Sequence, residues 1–568
     1  MRILQQHLDF IEYEPVEKEI AAAEEAERKR QRYDEIVVLF TSVEKGDDDE
    51  VAKRAIEGTK EFLGKLKVNR VIIYPYAHLS QNLASPKEAL EVLKDMERYS
   101  REAGLETYRA PFGWNKAFQV KVKGHPLAEQ SRYYGPAEGG TAPAPAPAVR
   151  KIPELTGDQA FARIKKSDFS ALPETDHRVI GERLDLFSFQ EPSPGMVYWH
   201  DKGWRLRNLL VDFIRKELQR RGYEEISNPA LANTVLWSVS GHSEHYKDNM
   251  FLTKLGDEEM GLKPMNCPST FLVYRSRKWS FRDLPVRYAI FDPLYRNELS
   301  GVATGLFRVK ILTQDDAHII ATEDQAEAEV ADLLDLLAKM YGVFKLEYKV
   351  KISTQPDDHM GSDEEWERAT KTLIKVVESK GLPYEVKEKE GNFYAPKIDV
   401  DIRDSLGREW QCGTIQLDLQ MPKRFRLAYT GSDGKDHTPV VIHRTIYGSL
   451  ERFIGILIEH YQGKFPLWLS PVQVRVLPVS DENKAYAGEV LSALRNAGIR
   501  AEADFDSGTV GGKIRNAQLQ KIPFMLVIGG KEQEAGTIAV RARDGEVRYG
   551  VKVDDFLAEL KQRMDSFA

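Results

Sequence analysis

Cysteine is scarce: two residues in 568, Cys267 and Cys412, cannot staple a chain of this size, so a disulfide-held secreted scaffold is excluded. Long apolar runs are missing as well. No stretch approaches the roughly 20 apolar residues of a membrane helix. The opening residues, Met1-Arg-Ile-Leu-Gln-Gln-His-Leu-Asp9, meet charge and amide before any apolar core develops and are not expected to be a signal peptide. Nor is there a basic excess. Lys and Arg number 81 against 88 Asp and Glu, a net charge of −7, which excludes a uniformly basic nucleic-acid coat but leaves room for a local basic face. There is no internal repeat. What remains is a large soluble chain of about three to five domains, expected in a reducing, cytoplasmic compartment with no membrane partner.

One segment reads as a linker. Gly139-Gly-Thr-Ala-Pro-Ala-Pro-Ala-Pro-Ala148 has no apolar periodicity, and alternating Pro and Ala favour an extended spacer. Before it, buried-strand patterns (35–41, 71–74, 117–122) alternate with amphipathic helical patterns (51–66, 86–103), as in a compact α/β domain. After it, a helix over 203–222 leads into a strand ending at Pro229. Strands over 286–295, 307–313, 397–403 and 409–418, mixed with long helices, favour an antiparallel sheet. The last hundred residues read as an independent βαβαβ domain with a parallel sheet. The expected fold is therefore multidomain, α/β and α+β, divided as 1–138, a linker at 139–150, 151–468 and 469–568.

Three blocks of the central region carry chemistry: Gly222-Tyr-Glu-Glu-Ile-Ser-Asn-Pro229; Tyr295-Arg-Asn-Glu298 with a glycine-bearing loop and Phe307-Arg-Val309; and Gly448-Ser-Leu-Glu-Arg-Phe453. Period-two alternation places Arg296 and Glu298 on one strand face, and a hairpin returns Arg308 towards them. Converging guanidinium groups suit a polyphosphate, because they bind phosphate bidentately and never lose their charge. For any single Arg-x-Glu, an exposed ion pair is the commoner meaning.

Together, in this order, the blocks resemble the three signature motifs of class II aminoacyl-tRNA synthetases. Asp176-His-Arg-Val-Ile-Gly181, Pro194-Gly-Met-Val-Tyr-Trp-His200, Lys263-Pro-Met-Asn-Cys-Pro268, Gln314-Asp-Asp-Ala-His318 and Trp410-Gln-Cys-Gly-Thr-Ile-Gln416 look like the threonyl-tRNA synthetase family, from about Asp176 to the C-terminus. The resemblance implies an antiparallel-sheet catalytic domain and a C-terminal anticodon-binding domain. It also implies a homodimer through the first motif and ligation of L-threonine to tRNA-Thr with ATP and Mg²⁺. Arg296, Glu298, Arg308, Gln411, Thr414 and Arg452 are then the ATP-facing set with Lys397 nearby, and Arg296, Arg452, Lys397 and His242 the catalytic group. Gln314, Asp316, Tyr394 and Gln416 line the threonine side. Glu532 and Arg541 match anticodon-reading residues, while Ser507 stands where bacterial enzymes carry Asn.

Cys267, His318 and His443 are too far apart in sequence for spacing to establish a metal site; singly, each is as readily a buried thiol or a satisfied histidine. The family resemblance makes them ligands of one Zn²⁺ per subunit. Three protein ligands leave coordination open, as functional zinc requires. Another class II synthetase, such as a prolyl enzyme, is the alternative that this triad disfavours. A catalytically dead tRNA-binding paralogue is disfavoured by the intact arginines.

A pocket that recognises a hydroxyl still admits serine. One missing methyl is worth about 1–3 kcal/mol, too little for translation, so a hydrolytic second site is expected. Asp9-Phe-Ile-Glu-Tyr-Glu14, Tyr74-Pro-Tyr-Ala-His-Leu-Ser80, Pro111-Phe-Gly-Trp-Asn-Lys-Ala-Phe118 and Lys123-Gly-His-Pro-Leu-Ala-Glu129 look like the archaeal threonyl editing domain, itself similar to D-aminoacyl-tRNA deacylases. On that resemblance His78, Lys116 and Glu129 are the editing residues. The central segments look closer to bacterial enzymes.

Overall fold

The computed structural model describes residues 1–20, 23–80, 82–123, 128–135, 167–241, 246, 249–298, 304–404 and 407–567. The Pro/Ala tract, the 299–303 loop and residues 242–245, with His242, lie outside them. The chain divides into two compact units, Met1–Pro153 and Glu154–Ala568. No described helix is long and apolar enough to cross a membrane.

The first unit is built on a sheet in the order Glu106–Arg109, Arg70–Pro75, Gln31–Ser42, Arg2–Lys18, Trp114–Val122, with Glu129–Tyr133 also paired to Arg2–Lys18. The helices Asp49–Leu66 and Pro86–Glu102 cover one face. Their starts are chemically marked. Asp48 accepts the Val51 N–H, and Ser85 and Glu88 form a capping box ahead of Pro86. Val37, Leu39, Val71 and Ile73 lie fully buried beneath them. Each contributes roughly 1.5–3 kcal/mol of burial, which makes the central strands the core of the unit.

The 17-residue strand Arg2–Lys18 has no counterpart in the sequence reading. Its inward positions include Gln5 and His7, which blur the apolar alternation, and Pro15 normally argues against a central strand. The fold accommodates the amide: Gln5 Nε2 donates to Thr59 Oγ1 at 2.9 Å. A register shift between Leu8 and Phe10 then swaps which residues face inward.

The second unit centres on an eight-stranded sheet that is antiparallel apart from its two outermost pairings. Lys397–Arg403 and Glu409–Asp418 form as expected. The anticipated strand over 286–295 does not: Val286–Ile290 belongs to the large sheet and Pro293–Tyr295 to a separate pair with Ile311–Thr313. The break falls at Asp292, whose carboxylate accepts Ser227 Oγ at 2.8 Å, the Asn228 N–H at 2.6 Å and Lys263 Nζ at 2.8 Å, ahead of a proline that cannot donate. Arg296 and Glu298 therefore sit just past a strand, not on it. Phe307 ends a 3₁₀ turn, Gly305–Phe307, and Arg308 caps it.

The C-terminal region has the expected parallel strands Ala501–Ala503, Val474–Pro478 and Phe524–Ile528, but two antiparallel strands, Ile538–Ala542 and Val547–Val551, extend them into a mixed sheet. Within the second unit it is joined closely to the chain that precedes it. Arg500 donates to the carbonyls of Ser470 (2.9 Å) and Trp468 (2.7 Å), and Gln473 to that of Leu467 (2.9 Å), clamping the junction.

Gly203, early in the helix Asp201–Arg220, packs against backbone: a Cβ there would lie 1.9 Å from the Leu186 carbonyl oxygen. Ala in a helix is normally worth up to about 1 kcal/mol over Gly. Overpacking against an immovable carbonyl costs about 1–3 kcal/mol and wins. Gly203→Ala is expected to lower the melting temperature by several degrees in thermal circular dichroism; an unchanged or raised Tm contradicts this packing.

Candidate functional site

The site in the second unit is set by strand register. In the antiparallel pair Asp316–Ala321 with Val440–Thr445, His318 lies directly opposite His443, and on the next strand Gln416 lies opposite His443. Directly opposed side chains on one face are the nearest neighbours a sheet offers. The imidazole centroids of His318 and His443 are 4.8 Å apart. Cys267, first residue of the helix Cys267–Tyr274, completes the group: its Sγ and one nitrogen of each histidine lie within 4.8 Å of one another, and all three residues are buried.

The donor set fits a metal ion. His443 Nε2 is 2.9 Å from Asp418 Oδ2, the carboxylate support that orients ligating histidines, which leaves Nδ1 as the nitrogen for a metal. His318 Nδ1 is buried with no hydrogen-bond partner. Burial also holds the His318 imidazole well below its ordinary pKa, in the neutral form that ligates. Burial, with Asp316 and Asp418 near, pushes the Cys267 thiol up, so only a cation at this spot would draw out the thiolate.

Around this group stand the residues expected on the threonine side. Asp316 is buried, accepts Asn266 Nδ2 at 3.0 Å, and is raised by burial while Asn266, His443, Arg444 and Arg296 offset the rise. Tyr394 donates its hydroxyl to Gln416 Oε1 at 2.6 Å and stacks obliquely on His443 at 5.4 Å. Gln314 bridges to Ser449, the cap of the helix Leu450–Tyr461.

The arginines gather next to it. Arg452 Nε donates to the Phe307 carbonyl at 3.1 Å and Nη1 to the Gln411 carbonyl at 2.9 Å. Burial, then the nearby Arg296 and Arg308, holds its guanidinium below the ordinary value, although Cys412 and Glu298 act in the opposite sense. Arg308 pairs with Glu298 at 2.8 Å. Lys397 pairs with Asp399 at 2.7 Å, and Asp399 also takes Gln411 Nε2 and, at 2.7 Å, Ser353 Oγ. Thr414 accepts Gln416 Nε2 at 3.3 Å. Three guanidinium groups are close enough to repel one another, with one carboxylate among them, an arrangement whose chemistry suits an anion.

Of the anticodon pair, Glu532 caps its own helix by accepting the Gly529 N–H at 3.0 Å, while Arg541, on the strand Ile538–Ala542, keeps its Nε buried without a partner. Sequence reasoning missed Asn266 and Asp418. Asn266 lies inside the quoted Lys263–Pro268 segment, and Asp418 stands two residues past Gln416, on the same strand face.

The first unit holds its own cavity, of about 250 Å³, walled by Thr41, Tyr76, Phe112, Trp114 and Lys116 among others. Lys116 Nζ donates to the Pro111 and Trp114 carbonyls at 3.0 and 2.9 Å and lies 5.0 Å from the Tyr74 ring. Burial drops its pKa to about 8, with Glu19 and Glu24 opposing. His78 is exposed on the adjoining 3₁₀ turn, its ring 5.3 Å from Tyr76. Glu129 lies on the strand Glu129–Tyr133, bound to Gln6 Nε2 at 2.7 Å, and is not among the cavity-lining residues.

Below pH 8 the folded state holds a desolvated ammonium that the unfolded state solvates. Between about 8 and the ordinary lysine value near 10.4 only the unfolded state keeps the proton, so native stability rises with pH there. Lys116→Met is expected to be more stable than the native chain at pH 7, the advantage fading above pH 8. Denaturant unfolding at stepped pH checks this, and a pH-independent difference contradicts it.

Residues 1–133 match the archaea-specific editing domain of threonyl-tRNA synthetase, residues 251–461 the class II tRNA synthetase core domain (G, H, P, S and T), and residues 473–563 an anticodon-binding domain. A threonine–tRNA ligase of Carboxydothermus hydrogenoformans is 49% identical over 392 residues, covering 68% of this chain and 62% of that protein. One of Acetivibrio thermocellus is 50% identical over 401 residues, covering 69% and 63%. The chain thus spans less than two thirds of the length of these curated relatives. A crystal structure described as the RNA-binding domain of a threonyl-tRNA synthetase from Cryptosporidium parvum superposes with a TM-score of 0.67 at 40% identity, covering 68% of this chain and 98% of that one.

Proposed function

The chain belongs to the threonyl-tRNA synthetase family of class II aminoacyl-tRNA synthetases, and from that premise we propose that it is a cytoplasmic ligase that charges tRNA-Thr with L-threonine and clears mischarged serine. The observation that carries the reading is the buried Cys267, His318 and His443 group beside three crowded arginines. The domain division proposed is editing over 1–138, catalysis over 151–468 and anticodon binding over 469–568.

A zinc ion held by Cys267, His318 and His443 would supply open coordination positions to the amino and hydroxyl groups of threonine, which refuses valine where a purely apolar pocket could not. Asp316, held by Asn266, takes the substrate's amino or hydroxyl protons. Gln416, from the neighbouring strand, and Tyr394, from the turn before Lys397–Arg403, fix the side chain. Arg296, Arg308 and Arg452, with Mg²⁺ on the phosphates, stabilise the charge that builds as the threonine carboxylate attacks the α-phosphate of ATP. Because these cations are already assembled, little reorganisation is left for the transition state. Lys397, Gln411 and Thr414 line the same strand pair and are assigned to the nucleotide. His242 is assigned to the terminal ribose of tRNA during transfer, and Glu532 and Arg541 to the anticodon.

In the first unit, Lys116, with a pKa near 8, can hold a proton or a charge against the ester and the tRNA 2′-hydroxyl close to neutral pH. His78 and Glu129 are assigned as its companions. A second copy of the chain is the partner proposed for the small sheet near Pro229: Leu231, Val235, Val239, Leu252 and Leu255 are all exposed there.

Two experiments test this. With the full chain, zinc and ATP, tRNA-Thr is expected to accumulate threonine but not serine, while Lys116→Ala accumulates seryl-tRNA and a zinc chelator abolishes threonylation. Absence of threonylation sinks the ligase reading; a serine-clean Lys116→Ala sinks the editing assignment. In sedimentation velocity the native chain should run as a dimer and Val235→Glu/Leu255→Glu as a monomer, whereas a dimeric double variant moves the interface elsewhere.

A further inference from the structure

The segment Asp176–Gly181 has no task in the reaction as described, yet it carries one of the most tightly held side chains of the second unit. His177 is fully buried at the start of the helix His177–Arg183. With Asp176 and Glu459 it makes a group whose spacing alone could suit a metal ion. The hydrogen bonds argue otherwise. Asp176 is taken by Arg178 through Nε at 2.9 Å and Nη2 at 2.8 Å, and Glu459 also receives Arg408. Both imidazole nitrogens are committed: Nδ1 lies 2.9 Å from Glu459 Oε1, and Nε2 accepts the backbone N–H of Leu306 at 3.0 Å. An N–H can only donate, so Nε2 carries no proton and Nδ1–H donates to the carboxylate. One tautomer is thereby written into the structure.

What Nε2 holds is the turn that presents the anion site. Leu306 lies between Gly305 and Phe307 in the 3₁₀ turn capped by Arg308. Gly305 has φ +58°, and a Cβ there would stand 2.4 Å from His177 Nε2, so glycine is what lets the imidazole reach the backbone. The Phe307 ring is clasped between His177 at 4.2 Å and Trp410 at 4.3 Å. Its carbonyl, in turn, receives Arg452 Nε at 3.1 Å. One buried imidazole thus supports both the residue before Arg308 and the carbonyl that seats Arg452.

We infer that His177 is a positioning residue for ATP, setting Arg308 and Arg452 through its bond to the Leu306 backbone. The inference rests on the ligase reading only in naming ATP as the anion. Two variants separate the arms of the imidazole. Gln at 177 can offer Oε1 where Nε2 stood and keep the Leu306 bond; Asn reaches only the Nδ1 position and keeps the Glu459 arm alone.

In threonine-dependent ATP–pyrophosphate exchange by the full chain, His177→Asn is expected to raise the KM for ATP about tenfold, as misplaced binding groups do, with the KM for threonine little changed. His177→Gln should stay within about threefold of the native chain, since it keeps the positioning bond. Hydrogen exchange at the Leu306 and Phe307 amides, read by mass spectrometry, should quicken in His177→Asn and not in His177→Gln. Equal ATP kinetics and equal amide exchange in the two variants overturn the inference, as do losses that follow melting temperature alone. If the native chain itself shows no exchange activity, the ligase reading fails, and the amide measurement still decides whether His177 holds the turn.

Discussion

The meeting of His318 and His443 depends on one strand register. Because side chains alternate with period two, a slip of a single residue between Asp316–Ala321 and Val440–Thr445 would turn His443 to the opposite face from His318 and bring Arg444 in its place. The fold guards this register. Asp315, fully buried, accepts Arg444 Nη1 at 3.1 Å and the N–H groups of Ile446 and Tyr447 at 2.8 and 2.9 Å, pinning the two strands at the point where His318 and His443 must meet. Burial lifts the Asp315 carboxyl to about 7 in spite of those donors, a sign of how deeply the pin is set.

The arginines depend on a different device. They come from two separated stretches of chain, Arg296 and Arg308 from one and Arg452 from the other, and like charges do not assemble unaided. Backbone carbonyls seat two of them: Phe307 and Gln411 for Arg452, and Pro264, more loosely at 3.4 Å, for Arg296, while Arg308 pairs with the Glu298 carboxylate. Carbonyl seats supply acceptors without cancelling charge, so the cluster stays cationic for an incoming anion. Lys263 plays the complementary part, joining Asn228 and Asp292 and so linking the segment before Pro229 to the strand that leads to Arg296.

The sequence made some of this legible and hid the rest for physical reasons. Lys397–Arg403 and Glu409–Asp418 could be read directly because their apolar pattern is long and their ends are marked. Arg2–Lys18 could not, since buried polar side chains at Gln5 and His7 and a register shift disguise its alternation. The break at Asp292 arises from hydrogen bonds to residues 29 and 64 positions away, which no local pattern reports. The grouping of Cys267, His318 and His443 is legible through family resemblance alone, because the three meet only through tertiary register. Lys116 was singled out the same way, and the structure adds its burial in a cavity. Asp418 stands just past the Trp410–Gln416 motif and His177 lies inside Asp176–Gly181, yet neither carries a local signal of its task; their roles rest on hydrogen bonds.

The most direct measurement of the account's central claim is amino-acid choice in ATP–pyrophosphate exchange by the zinc-loaded chain. Threonine and serine, which carry the hydroxyl, are predicted to support exchange, and valine, isosteric with threonine but without it, is predicted not to. Exchange with valine at a rate comparable to threonine would show that Cys267, His318 and His443 do not read the hydroxyl, and would contradict the account.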